Sequence, residues 1–171
     1  LNQNTGDLTI SGGNYTSSTN SVISNYGDVS ITGGTITSTG SNTVNILGGT
    51  FEISGGNIST TSSGAHAAIK NSASLTITDG TLSSANGSAV WNVSGGTAEI
   101  SGGASSASNS KVISNYGIME LKTGLSISTT QLVVANQNTG DLTISGGNLS
   151  STSNVISNYG DVSITGGTIT S

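Results

Sequence analysis

Acidic side chains are the residues of this chain best placed to do chemistry, because they recur in phase. Asp7 and Asp28, repeated as Asp141 and Asp161, each follow a glycine and open an alternating segment, GDLTI or GDVSI. If those segments are strands lying side by side, each pair stacks with its side chains about 5 Å apart. Like charges that close repel, and a bridging cation with oxygen ligands, calcium above all, would relieve them. Asp7, Asp28, Asp141 and Asp161 are therefore the candidate metal ligands, but no cofactor is expected, calcium being the one such a pattern would take. The competing reading is of aspartates favoured in a turn and screened by water. No glycine-aspartate nonapeptide of the calcium-binding β-roll kind is present, which weighs against the metal.

Catalysis finds less to work with. Glu52, Glu99 and Glu120 share a phase, with Lys122 as a partner for the last two, and they read as solvated surface acids. His66 stands alone in TSSGAHAA, Lys70, Lys111 and Lys122 fall at different phases, and arginine is absent. Acid–base work on a polysaccharide needs clustered carboxylates joined by Arg, Lys or His. No such cluster is legible, so no catalytic residue is assigned and a non-enzyme is expected. Tyr26, Tyr116 and Tyr159 occupy one phase and would suit a sugar ring. The equivalent positions elsewhere hold Gly48, Ser72, Gly95 or Thr139, which favours packing against a turn over a continuous platform. Asn4, Asn25, Asn71, Asn115, Asn138 and Asn158 form another series, read as stacked amides that satisfy turn backbone groups. Asn14, Asn57, Asn86, Asn92 and Asn148 open N-x-S/T sequons, which this composition produces by chance.

The elements that must position these residues follow from repetition. Residues 2–14 recur as 136–148 (NQNTGDLTISGGN) and residues 22–38 as 155–171 (VISNYGDVSITGGTITS). The chain is read as one segment, 1–171, of a longer repetitive protein, with a long repeat of about 134 residues running 1–134 and then 135–171. Within it lies a shorter period with anchors at Gly6, Gly27, Gly49, Ala73, Gly96, Gly117, Gly140 and Gly160, spaced 20 to 24 residues apart. Two and four positions after each anchor stand apolar residues, Leu8 and Ile10 through Val162 and Ile164, with Thr9, Glu52 or Thr76 between them. Period-two alternation marks a strand with one buried face. A Gly-Gly or Asp79–Gly80 type bend comes next, then a second strand carrying Tyr15, Ile36, Ile58, Leu82, Leu149 or Ile169. A third strand holds Val22–Ile23, Val44, Ile69, Trp91, Val112–Ile113, Leu132–Val134 and Val155–Ile156, in a register left open. The expected fold is all-β: a single-stranded parallel β-helix or solenoid of about eight coils of about 22 residues. Stretches such as 60–66, 84–89 and 106–111, where coil length varies, should line one edge and offer the most suitable binding surface.

Composition narrows the alternatives. Charged residues are 6% and glycine supplies 26 of 171 positions, yet disordered chains do not keep Val, Ile and Leu in phase over successive coils. Helix is excluded by β-branched apolar positions and the missing 3.6-residue period. With a net charge of −5 and no arginine, nucleic acid is not expected as a partner. The longest apolar run, Leu132-Val133-Val134-Ala135, is too short to cross a membrane, and without cysteine no disulfide or Cys-based zinc site is available. No leader or anchor is visible, as expected of a stretch within a longer chain.

The iterated GDLTISGG, GDVSITGGTITS, GTFEISGGNIS and SLTITDGTLSS segments resemble the coils of right-handed parallel β-helix proteins, the architecture of pectate-lyase-like enzymes, autotransporter passengers and large repetitive adhesins. The resemblance covers the whole chain. It implies a right-handed solenoid, and it is nearest to bacterial and archaeal surface fibres and adhesins, without the enzymatic site. The function expected is that of an extracellular, cell-surface structural fibre or adhesin stalk, partnered by itself end to end or laterally, and by host or cell-surface glycans. The alternatives are a carbohydrate-binding or polysaccharide-degrading β-helix module and, more remotely, ice binding. Ice binding wants a uniform threonine array, whereas the outward row reads Asn14, Thr35, Asn57, Thr81, Ala104, Gly124 or Leu125, Asn148, Thr168.

Overall fold

The computed structural model describes residues 6–171 and shows a parallel β-solenoid of about 7 turns of ~22 residues, with no helix. The eight anchors head eight first-face strands, from Asp7–Ser17 to Asp161–Ile164, and those eight strands bound the seven turns. Every described strand pairing is parallel and joins one turn to the next. Backbone hydrogen bonds thus run along the rod axis, and each turn satisfies the main chain of its neighbours.

Alternation does the sorting between inside and outside. On the first face one column runs Val29, Phe51, Leu75, Ala98, Met119 and Leu142, and a second runs Ile31, Ile53, Ile77, Ile100, Leu121 and Ile144, all buried. The second face carries Ile36, Ile58 and Leu82, then Ser105, and resumes with Ile127 and Leu149. The third face is short, three residues per strand, and resolves the open register: Ile23, Val44, Ile69, Val90, Ile113, Val134 and Ile156 stack. Val90, not Trp91, is the core residue there. The turn spanning Thr97–Ile100 and Ala104–Ala107 has smaller inward residues, with Ala98 and Ser105 where its neighbours place Leu, Met and Ile.

A glycine pair turns the chain from the first face to the second. Gly34 has φ 92°, a region open to glycine at no steric cost. A Cβ on the preceding Gly33 would lie 2.6 Å from the Ser11 carbonyl oxygen of the turn beside it. Beside Gly33 the turns approach too closely for a Cβ to be added without a shift, while Asp79 fills the equivalent position beside Ser54. In the turn of Ile118–Leu121 the bend is Lys122-Thr123-Gly124-Leu125, one residue longer, and Leu125 fills the corner at 1% exposure. That insertion corrects the outward row: Ser126, rather than Gly124 or Leu125, aligns with Asn148 and Thr168. The row stays mixed.

Candidate functional site

The aspartates lie where the repeat places them. Asp7 is in register with Asp28, and Asp141 with Asp161, on the outer surface at the start of first-face strands. Asp28 has taken protein partners: its Oδ1 accepts hydrogen bonds from the Thr50 backbone N–H and the Thr50 hydroxyl, both at 2.8 Å. The Thr50 backbone bond first, and its side chain second, hold the Asp28 carboxyl below its ordinary range. Asp7, Asp28, Thr50 and Glu52 border one open depression. Among the described residues, no three His, Cys, Asp or Glu side chains gather as a metal-holding group.

The glutamates meet their expected partner. Glu99 and Glu120 are adjacent in register, and the Lys122 ammonium lies 2.8 Å from Glu99 and 3.4 Å from Glu120. The hydrogen bond from Lys122 to Glu99, together with the charge of Glu120, raises the lysine above its usual range. The Ser145 hydroxyl donates to the other Glu120 oxygen at 2.8 Å. This cluster resolves a like-charge stack within the protein itself. Glu52 stands away from it, between Ser30 and Thr76. His66 lies half-buried in a corner loop, where its carbonyl accepts the Ser84 hydroxyl.

The asparagine series is real, but its membership differs from the expectation. Asn71 donates to Asn92, Asn92 to Asn115, Asn115 to Asn136 and Asn136 to Asn158, each at 2.8 Å. Asn92 and Asn136 replace the member expected from spacing, Asn138, which is exposed. Their turns carry two more residues between the ladder and the anchor, so counting back from the anchor misses them. Asn25 lies in the same column, and its amide donates to the Gly27 and Gly48 carbonyls. Asn4 lies outside the described residues. The ladder also accounts for the anchors themselves, since a Cβ on Gly96 would sit 2.5 Å from Asn92 Oδ1 and 2.7 Å from the Asn71 carbonyl. Of the sequons, that at Asn92 is sealed inside this ladder, while Asn14, Asn57 and Asn148 are exposed.

A second polar column was not anticipated. Ser38, Thr60, Ser84 and Ser151 are buried at the corner after the second face, and each hydroxyl donates to a loop carbonyl of the turn before, on Asn20, Ser41, His66 and Gln131. The same oxygens accept backbone N–H groups of Ser41, Ser62, Gly87 and Ser153. These are Ser/Thr turns locked into the stack. The available signal was a hydroxyl recurring two residues after the second-face apolar position. The length-variable corner is thus pinned at its base.

The tyrosines and the tryptophan lie toward the outside. Tyr26, Tyr116 and Tyr159 are 42%, 36% and 69% exposed, so none is packed away beneath its turn. Trp91 projects outward from the third face, with the Lys70 ammonium 4.8 Å from its ring centroid. Beside it a cleft opens between the third face and the corner loops, lined by Trp91, Ser114, Tyr116, Lys111, Ser88 and Gly87 among others. Comparison with protein-family models, with curated proteins and with solved structures finds no match to this chain.

Proposed function

We propose that this chain works as a structural rod, a segment of an extracellular, cell-surface fibre or adhesin stalk that acts by reach and repetition and carries out no catalysis. The observation behind this reading is a pair of identical segments. Ile31 and Ile36, in residues 22–38, are fully buried by the following turn, whereas Ile164 and Ile169, their copies in 155–171, are 52% and 39% exposed. The apolar columns and the amide ladder reach that last turn still in register. Each turn therefore buries the apolar columns of its neighbour, which is what lets such a rod lengthen by repetition. Self-association, end to end or laterally, is the partner proposed, with cell-surface glycans after it. The acidic, lightly charged exterior suits a solvated surface protein and disfavours nucleic acid.

Six turns per long repeat, each of about 4.8 Å, correspond to an axial period of about 29 Å. Electron microscopy and fibre diffraction of assemblies made by the purified chain, with light scattering across concentration, test the reading. Thin rods that lengthen with concentration and diffract near 4.8 Å along their axis are expected. A monomer of fixed size at every concentration would remove the end-to-end partner, and an axial spacing unrelated to 4.8 Å would remove the fibre.

A further inference from the structure

We propose that the cleft beside Trp91 binds an acidic sugar, a pyranose ring bearing a carboxylate, with the ring stacked on the indole. The inference goes beyond the rod reading and does not depend on it. Trp91 is the only tryptophan of the chain. Its strand neighbours Val90 and Asn92 are both fully buried, so the pleat turns the indole out to solvent. Successive turns place one residue above and one below it. On one side is Lys70, whose ammonium covers one ring face at 4.8 Å. On the other is Ser114, a small and buried residue, and Trp91 and Ser114 both line the cleft.

Chemistry around that space matches one class of ligand. A flat aromatic face lining a cleft stacks on the C–H surface of a sugar ring, and Trp91, part-buried, lines this one together with Tyr116. Ser88, Ser110 and Ser114 bring hydroxyl groups, each able to donate and accept, as a polyhydroxylated ring requires. Charge then selects among sugars. The chain has three lysines against eight acids, and two of the three, Lys70 and Lys111, are at this cleft or on its tryptophan. The third, Lys122, is held by Glu99 and Glu120, whereas neither Lys70 nor Lys111 is in an ion pair among the described residues. A cationic patch in an acidic rod calls for an anionic group on the ligand. The cleft holds about 160 Å³, below the roughly 300–1,000 Å³ of sites that engulf drug-sized molecules, so it suits one ring or a chain end.

Because Trp91 is unique, its emission reports occupancy directly. Titration of the chain with glucuronate, galacturonate and N-acetylneuraminate should give a saturable change in indole fluorescence with at least one of them. The same titration with glucose or galactose should be about ten-fold weaker or more. Lys111→Ala should weaken binding about ten-fold and Ser114→Phe, which fills the slot, should abolish it, while Lys122→Ala leaves it unchanged. Melting curves and circular dichroism accompany each variant, and calorimetry with Trp91→Ala tests for loss of binding without the fluorophore. Lys111→Ala, being on the surface, remains informative if Ser114→Phe fails to fold. No saturable response to any of the three acids overturns the proposal, as does equal binding of the neutral sugars. An equal response to acetate alone, or full affinity in folded Lys111→Ala, also overturns it.

Discussion

Residues 22–38 and 155–171 are the same sequence at two levels of one stack, and they do not have the same structure. In the first copy Asp28–Ser38 is one unbroken strand, Ile31 and Ile36 are fully buried, and Asn25 is at 0% exposure. In the second the strand divides into Asp161–Ile164 and Thr168–Thr170, Ile164 and Ile169 are uncovered, and Asn158 is exposed. The bend itself is unchanged, with φ 92° at Gly34 and 90° at Gly167. Local conformation therefore belongs to the repeat unit, and burial belongs to its neighbours. Strand continuity across the glycine pair follows the neighbours too. The unbroken strands adjoin one another, and division begins at Thr97–Ile100 and Ala104–Ala107, one turn before the Lys122-Thr123-Gly124-Leu125 bend, and continues to the last turn.

The largest expected effect tests that contrast directly. Ile31→Asp places an uncompensated charge between two turns and should cost several kcal/mol in a denaturant titration. Ile164→Asp, made in the same local sequence and measured on the dissociated chain, should cost about 1 kcal/mol or less, because the carboxylate reaches water. Equal losses would mean that burial does not separate the copies. Next comes the amide ladder. Asn115→Ala breaks the ladder, leaving the Asn136 acceptor unpaired while the Asn92 amide keeps the Gly96 and Ile118 carbonyls, and should cost about 2–3 kcal/mol, whereas Asn138→Ala should stay within about 0.5 kcal/mol. If Asn138 were the costlier of the two, the ladder would have the membership that spacing from the anchor suggests.

Smaller effects concern the surface acids. The Asp28 carboxyl, depressed by Thr50, contributes stability that is present above the ordinary aspartate pKa and is lost as pH falls through its lowered value. The difference in melting temperature between the native chain and Asp28→Asn should therefore close as pH drops below about 4. The Asp28 carboxyl resonance should titrate below the usual range and move back toward it in Thr50→Val. A midpoint at the ordinary value in the native chain would mean that these bonds do not persist in solution. Least of all, Lys122→Ala should lower the melting temperature slightly at low salt and not at high salt, because Glu99 and Glu120 lose the cation between them and their repulsion is screened. A loss as large at high salt would point to packing by the lysine stem.

How much was legible can be judged residue by residue. Columns such as Ile31, Ile53, Ile77 and Ile100 were readable because side-chain direction in a strand has period two and the anchors keep phase. The stacking of Asp7 on Asp28, and the bridge from Lys122 to Glu99, were readable for the same reason. Third-face residues were not, because a three-residue strand carries too little alternation to set its own register. Val90 against Trp91, and Asn136 against Asn138, were decided by hydrogen bonding to the turns on either side. By itself, then, the sequence determined an all-β repeat, its inward and outward rows and its glycine bends, since each rests on interactions within a single turn. Tertiary structure alone decided which amides join the ladder, which hydroxyls pin the corner, that Trp91 faces a cleft beside two lysines, and whether a given isoleucine is core or surface. Those outcomes depend on what the next turn places a few ångströms away along the axis, and no single repeat unit contains that information.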